Sequence, residues 1–298
     1  MTARIEPYLT ADDACGRLLT DLVDVIETQR PGALAGEDPE CVHQLRVAVR
    51  RTRAGIKAFR GVYPAERLPR YAAGFRWVQQ VTGPVRDLDV QLLGFPSQPA
   101  LQPLRDLLTL KRDKARWAMR TALTSHRYAD LMTHWNTLLA EPAAGPEADR
   151  PVLEVAGERI DRAHRAVVKP ARKIRVDSPA ERLHDVRKRC KELRYLLEFF
   201  APLYPPKPMK RLIKKLKSLQ DNLGEFQDHQ VQAANLRSWG EELSTAGSDD
   251  ATMLAIGELI VRHEQASVET RAEFADRFAR FDRPKNRHRF KYLFTGTD

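Results

Sequence analysis

Cysteine is scarce in this chain: Cys15, Cys41 and Cys190 are all it has. No CxxC spacing occurs, and three thiols cannot all pair, so neither a disulfide framework nor a zinc knuckle is encoded. Long apolar runs are missing too. Nothing approaches the roughly 18–20 residues of a membrane span, so no membrane partner is expected. The opening stretch MTARIEPYLTADDACG lacks the charged-then-apolar order of a signal peptide, and a reducing, cytoplasmic setting is the expectation. There is no P-loop, nucleophile elbow or zinc motif, which removes the commonest sequence-readable enzyme classes. Period-2 alternation bounded by hairpin turns is also absent, which removes an all-β fold.

What is present is positive charge, and it is concentrated. The 298 residues carry a net +10, with a pI near 9.6. Between Arg46 and Arg76 there are nine Lys/Arg against one acid, Glu66. Between Arg159 and Lys217 there are nineteen against six. The two windows together hold +21, so the remainder of the chain is acidic by about −11. Segregation of this kind points to an anionic partner.

The two windows also share a pattern. His43-Gln-Leu-Arg46-Val-Ala-Val-Arg50-Arg-Thr-Arg53 and His184-Asp-Val-Arg187-Lys-Arg-Cys-Lys191-Glu-Leu-Arg194 align without a gap at an offset of 141 residues. The same offset pairs Phe59 with Phe200, Tyr63 with Tyr204, Pro64 with Pro205, Gly83 with Gly224 and Asp87 with Asp228. A register held over about forty-five residues reads as an internal duplication. At about 100° per residue, His43, Arg46, Arg50, Arg53, Lys57 and Arg60 share an arc of about 100°, opposite Leu45, Val49, Ile56 and Phe59. The second copy keeps His184, Arg187, Lys191 and Arg194, adds Lys188, and places Glu198 where Lys57 stands. In the helix that follows, Lys210, Arg211, Lys214 and Lys217 lie opposite a leucine face, and Arg70 aligns with Arg211. Neighbours on a helix face stand about 5–6 Å apart, a spacing that lets a row of cations track a polymer of regular charge. Arginine offers a bidentate fork to phosphate oxygens and lysine a mobile point charge.

Apolar residues recur at helical spacing throughout, so the expected fold class is all-α. Helices are predicted near 10–30, 39–61, 66–82, 85–94, 100–123, 127–140, 151–173, 179–202, 207–223, 225–246, 249–270 and 271–282. Asp38-Pro39 and Ser178-Pro179 supply N-caps followed by proline at the first helical position, and Ser178 with Glu181 fits a capping box. Glu141-Pro-Ala-Ala-Gly-Pro146 reads as a linker. The expected organisation is a first helical half over 1–145, a second over 146–282, and a basic, aromatic tail over 283–298. The tail's Phe290, Tyr292 and Phe294 leave two readings open, contact with an anion or packing on the bundle.

These residues resemble a known family. His-x-x-Arg-x-x-x-(Arg/Lys)-x-x-Arg, present twice and followed each time by Thr82-Gly-Pro-Val-Arg-Asp87 or Leu223-Gly-Glu-Phe-Gln-Asp228, is similar to the CHAD domain, the conserved-histidine α-helical domain. The resemblance covers about residues 10–282. It implies two pseudo-symmetric helical bundles whose basic faces form one compact unit around a basic cavity or channel. It also implies binding of inorganic polyphosphate and association with polyphosphate granules, without catalysis and without a cofactor. Carried over by position, the ligand-lining residues are His43, Arg46, Arg50 and Arg53 with His184, Arg187, Lys191 and Arg194. Lys57, Arg70, Lys188, Arg211 and Lys214 extend the set on the charge argument alone. Some relatives carry a fused triphosphate-tunnel domain marked by Glu-x-Glu-x-Lys, a string absent from this chain.

Two other classes compete. RNA also presents a row of phosphates, but few aromatics interrupt the stripes (Tyr195 and Phe199 are nearest), so base stacking is poorly provided for. A histidine- or metal-dependent phosphotransferase would need a placed acid–base partner, and no second histidine or carboxylate stands at i+3 or i+4 from His43 or His184. Asp87-Leu-Asp89 could hold Mg²⁺ through oxygen ligands, although such acids more often cap or pair; no metal site is expected. Asp228-His229 and His263-Glu264 are adjacent pairs that diverge on a helix, so neither reads as a catalytic dyad.

Overall fold

The computed structural model describes residues 5–296. Among them the regular elements are all helical, and β pairing is limited to two isolated bridges, Thr10 with Pro151 and Arg60 with Tyr63. In chain order the α-helices are α1 (Ala11–Ala35), α2 (Pro39–Ala58), α3 (Pro69–Val81), α4 (Gly83–Leu93), α5 (Gln102–Leu123), α6 (His126–Ala140), α7 (Val152–Ala171), α8 (Ala180–Phe199), α9 (Pro206–Thr245), α10 (Asp250–Ala272), α11 (Phe274–Phe281) and α12 (Pro284–Thr295). Short 3₁₀ turns occupy Pro99–Leu101 and Ala201–Leu203. The chain divides into two compact units, Met1–Phe95 with Asp106–Val155, and Pro96–Arg105 with Ala156–Asp298.

In the first unit a capping box starts α1: Thr10 Oγ1 accepts from Asp13 N at 3.2 Å, and the Asp13 carboxylate accepts from Thr10 N. The helix runs past its expected end, through Pro31, to a left-handed Gly36. Asp38 caps α2 as predicted, its carboxylate accepting from Glu40 N at 2.8 Å. α1 and α2 pack together, burying Leu18, Leu22 and Ile26 on one side and Leu45, Val49 and Ile56 on the other. This fixes the outward face of α2. α3 and α6 join around the fully buried Trp135, whose ring lies 4.9 Å from Tyr71 and 5.3 Å from Phe75. The proline-rich stretch from Glu141 is fastened by backbone bonds from Gly145 N to Val62 O (2.8 Å) and from Glu147 N to Gly61 O (2.9 Å).

α9 is the spine of the second unit, packed against α8, α10 and α11 and burying Leu212, Leu216, Leu219, Leu223 and Phe226. Two helices were expected here, with a break at Gly224; the structure has one of 40 residues. The first unit does break at the aligned position, between α3 and α4, because Pro84 supplies no N–H and its ring excludes the preceding turn. Glu225 stands in that place in the second unit, so the backbone hydrogen bonds continue. A second correction concerns α8. Ser178 does not cap it: Pro179 is the N-cap residue, and Ser178 Oγ instead accepts from Arg175 N at 2.9 Å. The expected capping box with Glu181 is therefore not formed.

Residues 284–295, within the basic, aromatic tail for which no helix was predicted, are helical, with Pro284 at the first position. Thr297 and Asp298 of that tail lie outside the described residues. Phe290 stacks on His164 of α7 at 3.8 Å, and Phe294 packs edge-on against Tyr204 at 4.9 Å. Burial depresses the His164 imidazole to about 4, so it serves here as an uncharged aromatic plate. Of the two readings of the tail aromatics, packing describes Phe290 and Phe294; Tyr292 remains exposed.

Candidate anion-binding site

In the first unit α2 turns its basic face away from the α1 contact. His43, Arg50 and Arg53 are half-buried and Lys57 is exposed. Arg46 behaves differently. It is only 8% exposed, and its Nη1 donates to Gln79 O at 2.8 Å and to Thr82 Oγ1 at 3.1 Å. With its amide oriented to satisfy both partners, Gln79 Oε1 accepts from Nη1 and Nη2 as well. The guanidinium thus closes the C-terminal end of α3, where unpaired carbonyls carry partial negative charge. Gly83 makes this possible, since a Cβ there would lie 3.2 Å from Arg46 Nη1. Asp87 favours the charge on Arg46, while burial opposes it and prevails, so the arginine is held below its usual value. Helical spacing had placed Arg46 in the ligand-facing row. Its side chain is long enough to reach the neighbouring helix end instead, and it supports the row from beneath.

In the second unit the aligned residues sit on α8 and α9 with different partners. Arg187 of α8 lies beside Gly224, whose Cβ would stand 4.0 Å from Arg187 Nε, and its Nη2 approaches Asp228 at 3.6 Å. His184 Nδ1 donates to Gln227 Oε1 at 2.7 Å, which leaves Nε2 as the ring's other bonding position. In the first unit the position aligned with Gln227 is Arg86. His43 is drawn below its ordinary value by burial first and by the Arg86 guanidinium second. The two strings of the repeated motif therefore meet in each unit: histidine against position 86 or 227, arginine against glycine and aspartate. The Nε–H groups of Arg46 and Arg187 are both buried without a hydrogen-bond partner among the described residues.

Other predicted positions are more occupied than the wheel suggested. Arg70 folds back over Tyr71, its guanidinium 4.5 Å from the ring centroid and hydrogen-bonded to the phenol oxygen. Lys188 pairs with Asp185 at 3.1 Å, and Arg194 Nε with Glu198 at 2.6 Å. A cavity of about 420 Å³ opens beside His184, lined by Ala180, Glu181, Asp185, Lys188, Gln227 and Gln230 in addition; its walls are mixed in sign. The exposed charge lies further on. Six Lys/Arg and no acid occur between Phe199 and Gln220, and all six (Lys207, Lys210, Arg211, Lys214, Lys215, Lys217) are exposed on the first three turns of α9. Asp89, weighed above as a metal ligand, is buried with Arg116 4.0 Å away. That is the pairing reading of the Asp87-Leu-Asp89 motif.

Sequence reasoning left Arg86, Gln227 and Gln230 out of the site. The signal for the first two was available, since both sit in the second string of the motif, three residues after its glycine.

The CHAD domain profile matches residues 17–237. The chain belongs to the CHAD domain family. The crystal structure of the CHAD domain from the plant Ricinus communis is similar, with a TM-score of 0.81, 27% identity, and 94% of this chain and 96% of that one covered. PptA from Streptomyces chartreusis shares the fold at a TM-score of 0.67 and 20% identity, covering 90% of this chain and 98% of its own. Among curated proteins, "Uncharacterized protein Rv2226" and "Uncharacterized protein MT2285", from two strains of Mycobacterium tuberculosis, are each 27% identical over 236 residues. That is 74% of this CHAD chain and 44% of either relative, so the chain spans less than half the length of the curated proteins it matches. Among the described residues, no helix of this CHAD domain is long and apolar enough to cross a membrane.

The anchoring of Arg46 can be tested apart from any ligand. Thr82 is fully buried; its Oγ1 donates to Val78 O at 2.8 Å while accepting from Arg46. Thr82→Val keeps the shape and removes both bonds, leaving part of a buried guanidinium unsatisfied. The expected cost is about 1–3 kcal/mol, read as a fall in Tm of roughly 2–5 °C. Thr82→Ser should retain most of the stability. An unchanged Tm in the valine variant would mean that Thr82 does not hold the arginine.

Proposed function

We propose that this CHAD domain binds inorganic polyphosphate through the cations of α2, α8 and α9, as a cytoplasmic, granule-associated scaffold or targeting module and not as an enzyme. The observation that carries the reading is the acid-free run on the first three turns of α9. Cations at a helix N-terminus oppose the macrodipole, and like charges at i,i+3 and i,i+4 repel. Such a run is unfavourable unless an anion relieves it. Once an anion arrives, the dipole and the side chains act in the same direction. Lys210, Arg211, Lys214 and Lys217 then form a row whose spacing suits successive phosphates. His43, Arg50, Arg53 and Lys57 offer a second such row on α2, and His184, Lys188, Lys191 and Arg194 a third on α8.

Polyphosphate is favoured over RNA by what surrounds these rows. Phe199 is fully buried, and Tyr195 stacks against it at 6.1 Å. The exposed large aromatics among the described residues, Tyr8, Trp117 and Tyr292, belong to other elements. Stacking, which supplies much of the affinity for single-stranded nucleic acid, finds only the half-buried Tyr195 beside the α8 charges among the described residues. A binding role without turnover is supported by the ring of His184, which is oriented by an amide and not by the carboxylate that would build a general base.

The test is competition at physiological ionic strength between long-chain polyphosphate and single-stranded RNA of equal total charge. Polyphosphate should displace bound RNA, and RNA should not displace polyphosphate at matched charge. The reverse ranking would assign the surface to nucleic acid.

A further inference from the structure

His229 and His263 stand 34 positions apart, on α9 and α10, and fall outside the phosphate-directed rows. The fold sets their Nδ1 atoms 3.0 Å from each other, with ring centroids 5.3 Å apart and planes inclined by 45°. Both rings are half-buried, so they are held in place yet reachable from solvent. Two neutral imidazoles at this distance share one proton, and only one can donate to the other. Burial, and then the neighbouring His229, lower the affinity of His263 for a second proton. The pair is therefore a juxtaposition of two basic nitrogen lone pairs competing for one cation.

That cation need not be a proton. With metal–nitrogen bonds of about 2.0–2.1 Å, two ligand nitrogens lie about 2.9 Å apart at a right angle and about 3.3 Å apart at the tetrahedral angle. The observed separation falls between those values. We propose that His229 and His263 form a binding site for a borderline divalent transition-metal ion, of the class of Zn²⁺, Ni²⁺ or Cu²⁺, that clips α9 to α10. Both rings would carry their proton on Nε2 and present Nδ1 to the metal after a small rotation about χ2. Imidazole selects this class over Mg²⁺ and Ca²⁺, which require oxygen donors. Among the described residues no group of three or more His, Cys, Asp or Glu is arranged to hold a metal, so water fills the remaining positions and the ion stays exchangeable. Arg262 lies close enough to His263 to oppose a cation, and Glu264 is engaged by Arg237. These neighbours set the affinity below that of a structural zinc centre. The site does not depend on the polyphosphate reading, because it uses neither His43 nor His184.

The experiment uses the full chain, treated with a chelator and then titrated with ZnCl₂, NiCl₂ or MgCl₂ alone in a non-coordinating buffer. Zinc or nickel at tenfold above its Kd should raise Tm by roughly 2–4 °C or more, and magnesium should not. His229→Ala and His263→Ala should each weaken zinc binding at least ~10-fold, as expected when one of two ligands is lost. On the unaltered protein, Cu²⁺ should give an electron paramagnetic resonance signal with coupling to two imidazole nitrogens; this readout does not rely on either variant folding. The proposal is overturned by coupling to one nitrogen only, by no zinc-dependent rise in Tm, or by an equal rise in both variants.

Discussion

Replacing Arg50 and Lys191 together by glutamate is expected to lower the affinity for long-chain polyphosphate by about 10²–10³-fold. The two positions align at the 141-residue offset and occupy the middle of the α2 and α8 rows. Both side chains are half-buried, so water and salt screen them less than a fully exposed cation. Losing a charge-assisted bond at such a site costs about 1.5–3 kcal/mol, and the glutamate adds repulsion against the phosphate. The matched control is Lys285→Glu with Lys291→Glu on α12, where both lysines are exposed and the net charge changes equally. That pair should lose only a few-fold in affinity, through the general fall in positive potential. Titration of both double variants against the unaltered chain by isothermal calorimetry checks this, with thermal melts confirming that each stays folded. Equal losses would relocate binding to the C-terminal helix.

Much of this architecture could be read from residue order, and the exceptions share a cause. Periodicity located α2 and α8 to within a few residues, because one face of each is aliphatic and the other basic. Periodicity assigns a side chain an angle, however, not a destination. Arg46 shares an arc with Arg50, yet its guanidinium ends on the carbonyls of α3, because a neighbouring helix end lies within reach. Lys188 and Arg194 point as expected and meet Asp185 and Glu198 on their own helix. The Glu198 pairing could have been anticipated, since that residue was already noted as the substitution for Lys57. The predicted boundary between 207–223 and 225–246 falls at Gly224, which aligns with Gly83. The deciding residue is the next one, proline in one case and glutamate in the other. The tail helix was missed although Pro284 stands where a first helical residue belongs. The His229–His263 contact could not have been found locally, because it exists only once α9 and α10 have packed.

The site is correspondingly half legible. The histidine-led strings identified the helices and the offset, and the second string of the motif supplied the partners that orient them. What remained hidden was which cations the protein uses on itself. Arg46 is held by Gln79 and Thr82 and Arg70 by Tyr71, while Lys188 and Arg194 stay in the α8 row and are also paired there with Asp185 and Glu198. The α9 row, which gained only two members in the sequence-derived set, is the most exposed concentration of positive charge on the second unit's spine.

Binding that rests on these rows must be steeply sensitive to salt, because each phosphate neutralised releases condensed counterions. For roughly six phosphate contacts the logarithm of the association constant should fall against the logarithm of salt concentration with a slope of about −4 to −5. Affinity would then drop about 10²–10³-fold between about 50 and 200 mM NaCl. A ligand held mainly by hydrogen bonds to neutral groups or by apolar contact would show almost no slope. The direct measurement is the salt series run in parallel on the unaltered chain and on the Arg50→Glu/Lys191→Glu variant. If the rows carry the binding, the unaltered chain gives the steep slope and the variant a slope shallower by about one to two. A flat response in the unaltered chain, or identical slopes in the two proteins, would contradict the assignment of polyphosphate to these helices.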